Sequence, residues 1–167
     1  MTTTRKSSII LALGLLAGAA ALPAMADDPT PTSVTDDSVA GTKLKIPANV
    51  QATAEVGVVV RVKEILVAED VTLVTISASY SGHFDTLRLA WGHSPTYLED
   101  ENGQRFPLQR PDDNPWLDIQ NNKTMQGRLV FIGRVSPQSK QVKLVFNEGN
   151  EGDTHLGPGM RLTIPLS

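Results

Sequence analysis

From Val56 onward, apolar and polar residues alternate with a period of two, the spacing of strands that turn one face to a core. Val56, Val58, Val60 and Val62 fall on one side and Gly57, Val59, Arg61 and Lys63 on the other, and the run can continue through Ile65 to Val67. Val71 to Tyr80 is rich in β-branched residues; Val74, Ile76, Ala78 and Tyr80 make its apolar face and Thr75, Ser77 and Ser79 its polar one. Leu87, Leu89 and Trp91 form a third alternating set. Between Tyr97 and Leu108 lies Asn102-Gly103, a dipeptide that tolerates the positive φ angles of a tight hairpin turn. The proline density from Pro107 to Pro115 excludes a regular element until Trp116. Strands resume with Gly127, Leu129 and Phe131, then Val142, Leu144 and Phe146, and finally Met160, Leu162, Ile164 and Leu166. About seven to eight strands separated by turn signals, without a helical pattern after residue 26, predict an all-β antiparallel sandwich.

The first 54 residues break that pattern. Arg5 and Lys6 precede an apolar run of 14 residues, Ile9 to Leu22, and Ala24-Met25-Ala26 supplies a small-residue cleavage pattern. This predicts a signal peptide over residues 1–26, because the run falls short of the roughly 20 residues a membrane-spanning helix needs. The mature chain is therefore expected to be exported, in the first place to the periplasm or else beyond the cell, without a membrane span. Residues 27–54 read as a flexible leader and transition rich in Pro, Thr and Asp, with Pro47 interrupting any strand that begins at Leu44. Residues 55–167 read as the folded domain. With no cysteine in the chain, a lipid anchor at the cleavage site, disulfides and thiolate chemistry are all excluded. Loss of the signal would leave 13 basic against 18 acidic residues, a net charge of −5, which gives no support for nucleic-acid or anionic-membrane partners. The eight aromatic residues are scattered singly and the chain ends Pro165-Leu166-Ser167, unlike an aromatic-girdled outer-membrane barrel.

The succession of valine-rich strand, Val71–Tyr80 strand, Asp100-to-Phe106 hairpin and Met125-Gln126-Gly127-Arg128-Leu129-Val130-Phe131 resembles bacterial exported immunoglobulin-like domains of unknown function. These are the group related to immunoprotective extracellular proteins, and the resemblance covers about Val56 to Leu166. Where that group often carries Pro-Gly before the Gly127-type strand, this chain has Asn121-Asn122-Lys123, and it lacks the cysteine that makes many members lipoproteins. The resemblance implies an immunoglobulin-like sandwich with a binding or accessory role and carries over no catalytic residue.

Few residues carry chemistry. His83, His93 and His155, with Met125 and Met160, are the residue types of an exported copper site, yet no two of them are spaced as a compact ligand pair. Glu99-Asp100-Glu101-Asn102-Gly103 and the segment Asn147 to Asp153 mix carboxylates, amides and glycines as calcium loops do, without the ordered spacing of a helix-flanked site. Ser81, His83 and Asp85 are the residue types of a hydrolase triad, but the chain has no nucleophile elbow, no phosphate-cradling glycine loop and no His-Glu-x-x-His. In that reading Gly82 relieves a turn and Phe84 packs inward. No catalytic residue, metal ligand or cofactor is assigned. The stronger candidates are aromatic: Trp91, Tyr97 and Trp116 stand beside Gly92, Pro95 and Pro115, at expected strand ends where aromatics serve as binding anchors. The loop Pro107–Pro115, with Asp112 and Asp113, is the expected recognition loop. The expectation is a non-catalytic module that recognises an envelope protein or extracellular ligand through loops or a sheet edge. A periplasmic calcium or copper protein and an unrecognised hydrolase are the alternatives.

Overall fold

The computed structural model describes residues 39–154 and 156–167. The expected signal peptide, the leader up to residue 38 and His155 lie outside the described residues. The described residues contain eleven strands and no helix: β1 (Thr42–Leu44), β2 (Gln51–Ala54), β3 (Val58–Val67), β4 (Val71–Tyr80), β5 (Thr86–Arg88), β6 (Tyr97–Asp100), β7 (Arg105–Gln109), β8 (Asp118–Gln120), β9 (Lys123–Ile132), β10 (Gln141–Phe146) and β11 (Met160–Pro165). Nine of them form one antiparallel sheet in the order β1, β3, β4, β9, β7, β6, β10, β11, with β2 also paired to β3; β5 and β8 form a separate two-stranded sheet. β11 approaches β2, so the large sheet curls and its inner face encloses the core.

The period-two pattern maps onto that inner face. In β11, Met160, Leu162 and Ile164 are buried while Arg161, Thr163 and Pro165 are exposed. In β4, Val74, Ile76, Ala78 and Tyr80 are buried, and β4 pairs along its full length with β9, from Val71 opposite Ile132 to Tyr80 opposite Lys123. In β3 the buried set changes parity, from Val58, Val60 and Val62 to Ile65 and Val67. A bulge between Val62 and Glu64 absorbs the extra residue, so one strand serves the core with both halves of its valine run.

Three short strands were not legible as strands. β1 and β2 lie within the segment read as leader and transition, so the sheet starts at Thr42 and not near residue 55. They pair with opposite halves of β3, Leu44 with Ile65 and Ala54 with Val58. Strands of three and four residues have no room for a period, and it is the free edge of β3 that orders them. Pro47 does interrupt the pairing, and it falls between the two. β8 pairs Ile119 with Leu87 of β5.

The β6–β7 hairpin forms where Asn102-Gly103 stands, but by a different turn from the one expected. Only Gly103 has positive φ (81°). The Asp100 carboxylate closes the turn instead, accepting from the Asn102 and Gln104 amides at 2.9 and 2.8 Å, as Asp does in an Asx turn. β7 then crosses between neighbours, pairing Arg105–Pro107 with β6 and only Leu108 and Gln109 with β9. Pro107 and Pro111 bracket that short contact; Pro107 has no N–H to offer.

Candidate functional site

Two backbone segments meet beside the small sheet. The Ala90 amide donates to the Trp116 carbonyl at 3.0 Å and the Leu89 amide to the Leu117 carbonyl at 3.3 Å. Buried Leu89, Ala90 and Leu117 anchor both segments. This pairing places the Trp91 and Trp116 rings 6.2 Å apart at 52°, within the range of favourable tilted aromatic contacts. Each indole carries a guanidinium: Arg88 lies 4.7 Å from the Trp91 ring centre and Arg110 lies 4.3 Å from that of Trp116. Arg88 is neutralised by Asp118 at 3.1 Å. Arg110 makes no ion pair among the described residues; it donates one hydrogen bond, to the Gly92 carbonyl at 2.8 Å.

Beside Arg110 opens a cleft of about 350 Å³, lined by Ala90, the segment from Gly92 to Tyr97, Arg105, Pro107, Leu108 and Arg110. Tyr97 stands in its wall. The ring is buried, its hydroxyl donates to Glu148 Oε1 at 2.6 Å, and the Arg105 guanidinium lies 4.3 Å from the ring centre. Burial, followed by the hydrogen bond to Glu148, pushes the Tyr97 phenol up to about 12. Arg105 in turn bonds both Glu148 oxygens at 2.9 Å and Glu99 at 3.2 Å, and Lys143 holds Glu99 at 3.0 Å. The Tyr97 hydroxyl and then Arg105 hold the Glu148 carboxyl below its usual range; the Lys143 hydrogen bond does so for Glu99. Two cations and two anions thus cancel on this wall, so the unpaired charge at the cleft is that of Arg110.

The loop that presents Trp116 is strained. Leu117 is buried yet has φ of 51°, a region rarely adopted by a residue with a γ-branched side chain. Asn114 holds the bend, accepting from the Asp118 amide at 2.7 Å and donating to the Asp118 carbonyl at 3.1 Å. Backbone strain maintained by its surroundings concentrates at binding and catalytic sites.

The neighbouring acidic loop serves the scaffold. Asn147 is wholly buried with φ of 48°. Its side-chain oxygen accepts from the Trp91 amide at 2.7 Å, and its amide donates to the Arg88 and Pro158 carbonyls at 3.1 and 3.0 Å. Asn150 bonds the Ser94 hydroxyl and the Gly157 carbonyl. Of the groups that suggested calcium, the side-chain oxygens of Asn147, Glu148 and Asn150 are engaged within the protein, Asp100 of the first acidic segment closes its hairpin, and Glu151 and Asp153 are exposed. Among the described residues no three His, Asp or Glu side chains are grouped to hold a metal ion.

The structure therefore pairs Trp91 with Trp116 next to the cleft, which neither ring lines, and sets Tyr97 in the cleft wall, buried and not an exposed anchor. Asp112 and Asp113 are exposed on the adjoining loop; Asp112 lines a neighbouring groove with Arg110 and Arg128. Ser81, His83 and Asp85 lie on an exposed segment where the Ser81 hydroxyl bonds Asn122 at 3.1 Å. Phe84, expected inside, is 41% exposed; Leu87 and Ile119 fill the core beneath the small sheet. The sequence reading missed the three arginines. Arg88, three residues before Trp91, was the one local signal, whereas Arg105 and Arg110 meet their rings only through the fold. Comparison with protein-family models, with curated proteins and with solved structures finds no match to this chain.

Proposed function

We propose that this protein is an exported, non-catalytic binding module of the cell envelope, built as an immunoglobulin-like β-sandwich. It holds an anionic group of an envelope protein or extracellular ligand in the cleft beside Arg110. The periplasm is the proposed compartment, on the strength of the residue 1–26 pattern. The sandwich reading is supported by the curl of the antiparallel sheet and by β7, which passes from one set of strands to the other.

One observation carries the functional reading: Arg110 is stacked on Trp116, bonded to Gly92 and without an acidic partner at the mouth of a half-apolar cleft. A guanidinium held over an aromatic face and bonded to a carbonyl has fewer positions to lose when its remaining N–H groups bind a carboxylate or phosphate. Pro95, Pro107 and Leu108 supply apolar walls for the body of the ligand.

Arg110, which lines the cleft, lies over Trp116, and Trp91, the other tryptophan of the chain, lies 6.2 Å from that ring, so a ligand that engages Arg110 is read by intrinsic fluorescence. Titration of the protein with phenylacetate, a carboxylate on an apolar body, is expected to give a saturable change in emission. Arg110→Ala should abolish that change and leave the melting temperature within a few degrees of the parent. No saturable response up to about 10 mM, where small-ligand affinity becomes negligible, rejects the anion-binding reading.

A further inference from the structure

Most of β9 has no strand hydrogen-bonded to it on one side. β4 covers one edge along all ten residues, whereas β7 covers the other only at Val130 and Phe131. The Leu108 amide points away from β9, to the Thr96 carbonyl, so Gln109 faces β9. By the two-residue alternation of an antiparallel ladder, the backbone groups of Val130, and beyond it of Arg128, Gln126 and Thr124, then point away from β4. No hydrogen bond within the described residues occupies the outward N–H and C=O groups of those last three. Thr124, Gln126, Gly127 and Arg128 are all exposed. Gly127 stands opposite buried Ile76 and so turns toward the interior, yet a Cβ built there would meet nothing within 4 Å. The strand is open along its edge and also above Gly127, up to half-buried Met125, whose sulfur lies 3.7 Å from the Asn114 side-chain amide. The edge of β11, by contrast, faces β2 and carries Pro165.

We propose that this edge accepts an extended acidic segment of another protein as an added strand, a contact that rests on β9 and not on the cleft, though its groove ends at Arg110. Strand addition draws affinity from main-chain hydrogen bonds and specificity from alternate side chains. Here the outward face of β9 carries Arg128, and Lys123 stands at the strand's beginning; neither makes an ion pair among the described residues. An acidic residue opposite Arg128 pairs with it, and an apolar residue on the inner side fills the open space over Gly127 against Met125. Asp112, at the Arg110 end of the groove, limits the acidic match to the Arg128 side. A charged side chain on an edge strand disfavours pairing with its own kind, and Arg128 on the outward face favours an acidic partner over another copy.

The test uses full-length protein and the synthetic pentapeptide Val-Glu-Val-Glu-Val with blocked ends, with Val-Lys-Val-Lys-Val as its control. Amide hydrogen exchange is followed by NMR. Near-saturating Glu peptide is expected to slow exchange at Thr124, Gln126 and Arg128 by about tenfold, in proportion to occupancy. The Lys peptide should do so far less, and Arg128→Glu, a surface change, should reverse the preference. Three results overturn the proposal: no slowing at these amides, equal slowing by both peptides, or slowing without peptide that grows with protein concentration, which would mean that a second copy occupies the edge.

Discussion

Asn147 and Arg110 both bond the chain beside Trp91, one at its amide and the other at the Gly92 carbonyl, and they put polar chemistry to opposite uses. Around Asn147 each side-chain polar group is buried and paired with backbone, so the amide acts as an internal strut joining three loops. Around Arg110 the guanidinium is exposed, braced by a ring and one carbonyl, and short of a counter-charge. The contrast shows why residue type alone does not place a site: the Asn147 amide is committed to bonds within the fold, while the proline-rich loop carries an arginine without a counter-charge.

The largest effect should come from breaking the strut. Asn147→Ala leaves the Trp91 amide and the Arg88 and Pro158 carbonyls without partners, a loss of roughly 3 kcal/mol or more by chemical denaturation. Asn147→Asp should cost at least as much, because it retains an acceptor for Trp91 but turns a buried carboxylate oxygen toward the Arg88 and Pro158 carbonyls. If Asn147→Ala is as stable as the parent, the strut does not exist.

Gly159→Ala should follow closely, because a Cβ there would overlap the Asn150 carbonyl oxygen. The expected cost of about 1–3 kcal/mol can be read as a lower melting temperature, with the tryptophan emission of the native state preserved.

Tyr97→Phe sharpens the comparison from the cleft side. It removes the 2.6 Å bond to Glu148 but keeps the ring under Arg105, for an expected loss near 1 kcal/mol. The phenol also gives a pH signature. Its folded value near 12 lies above the ordinary 10.0, so it contributes stability that is complete below pH 10 and lost as pH rises toward 12. Tyr97→Phe should remove that part of the alkaline decline. At the acid end the sign is opposite. Glu99 and Glu148 are held below the ordinary 4.5, so their contribution is present above that value and disappears as pH falls through the lower folded values. Glu148→Gln should flatten the acid limb; an unchanged limb would show that the bonds on this wall do not persist in solution.

The smallest stability effect belongs to Arg110→Ala. The stack on Trp116 is exposed and worth about 0.5–1 kcal/mol, while the loss of anion binding should be complete. A variant that unfolds but still binds would invert the assignment of scaffold and site.

What the sequence determined by itself is the all-β character and the inward faces of the longer strands. The alternations of β3, β4 and β11 were readable because burying one side of a strand forces a period of two, and the hairpin was readable because Gly103 tolerates the φ its turn needs. Trp91, Tyr97 and Trp116 could be singled out by type and by the glycines and prolines beside them. Only the tertiary structure decided the rest. β1, β2 and β8 are too short for a period and exist through their partners. The Asp100 carboxylate, and not two positive φ angles, closes the β6–β7 turn. Arg105 and Arg110 reach their rings, and Asn147 reaches the Trp91 amide 56 residues away, because sheet pairing brings distant segments together. Side-chain convergence of that kind leaves no local spacing in the chain, and for that reason the sequence showed which aromatics to watch but not which cation among them stands without a counter-charge.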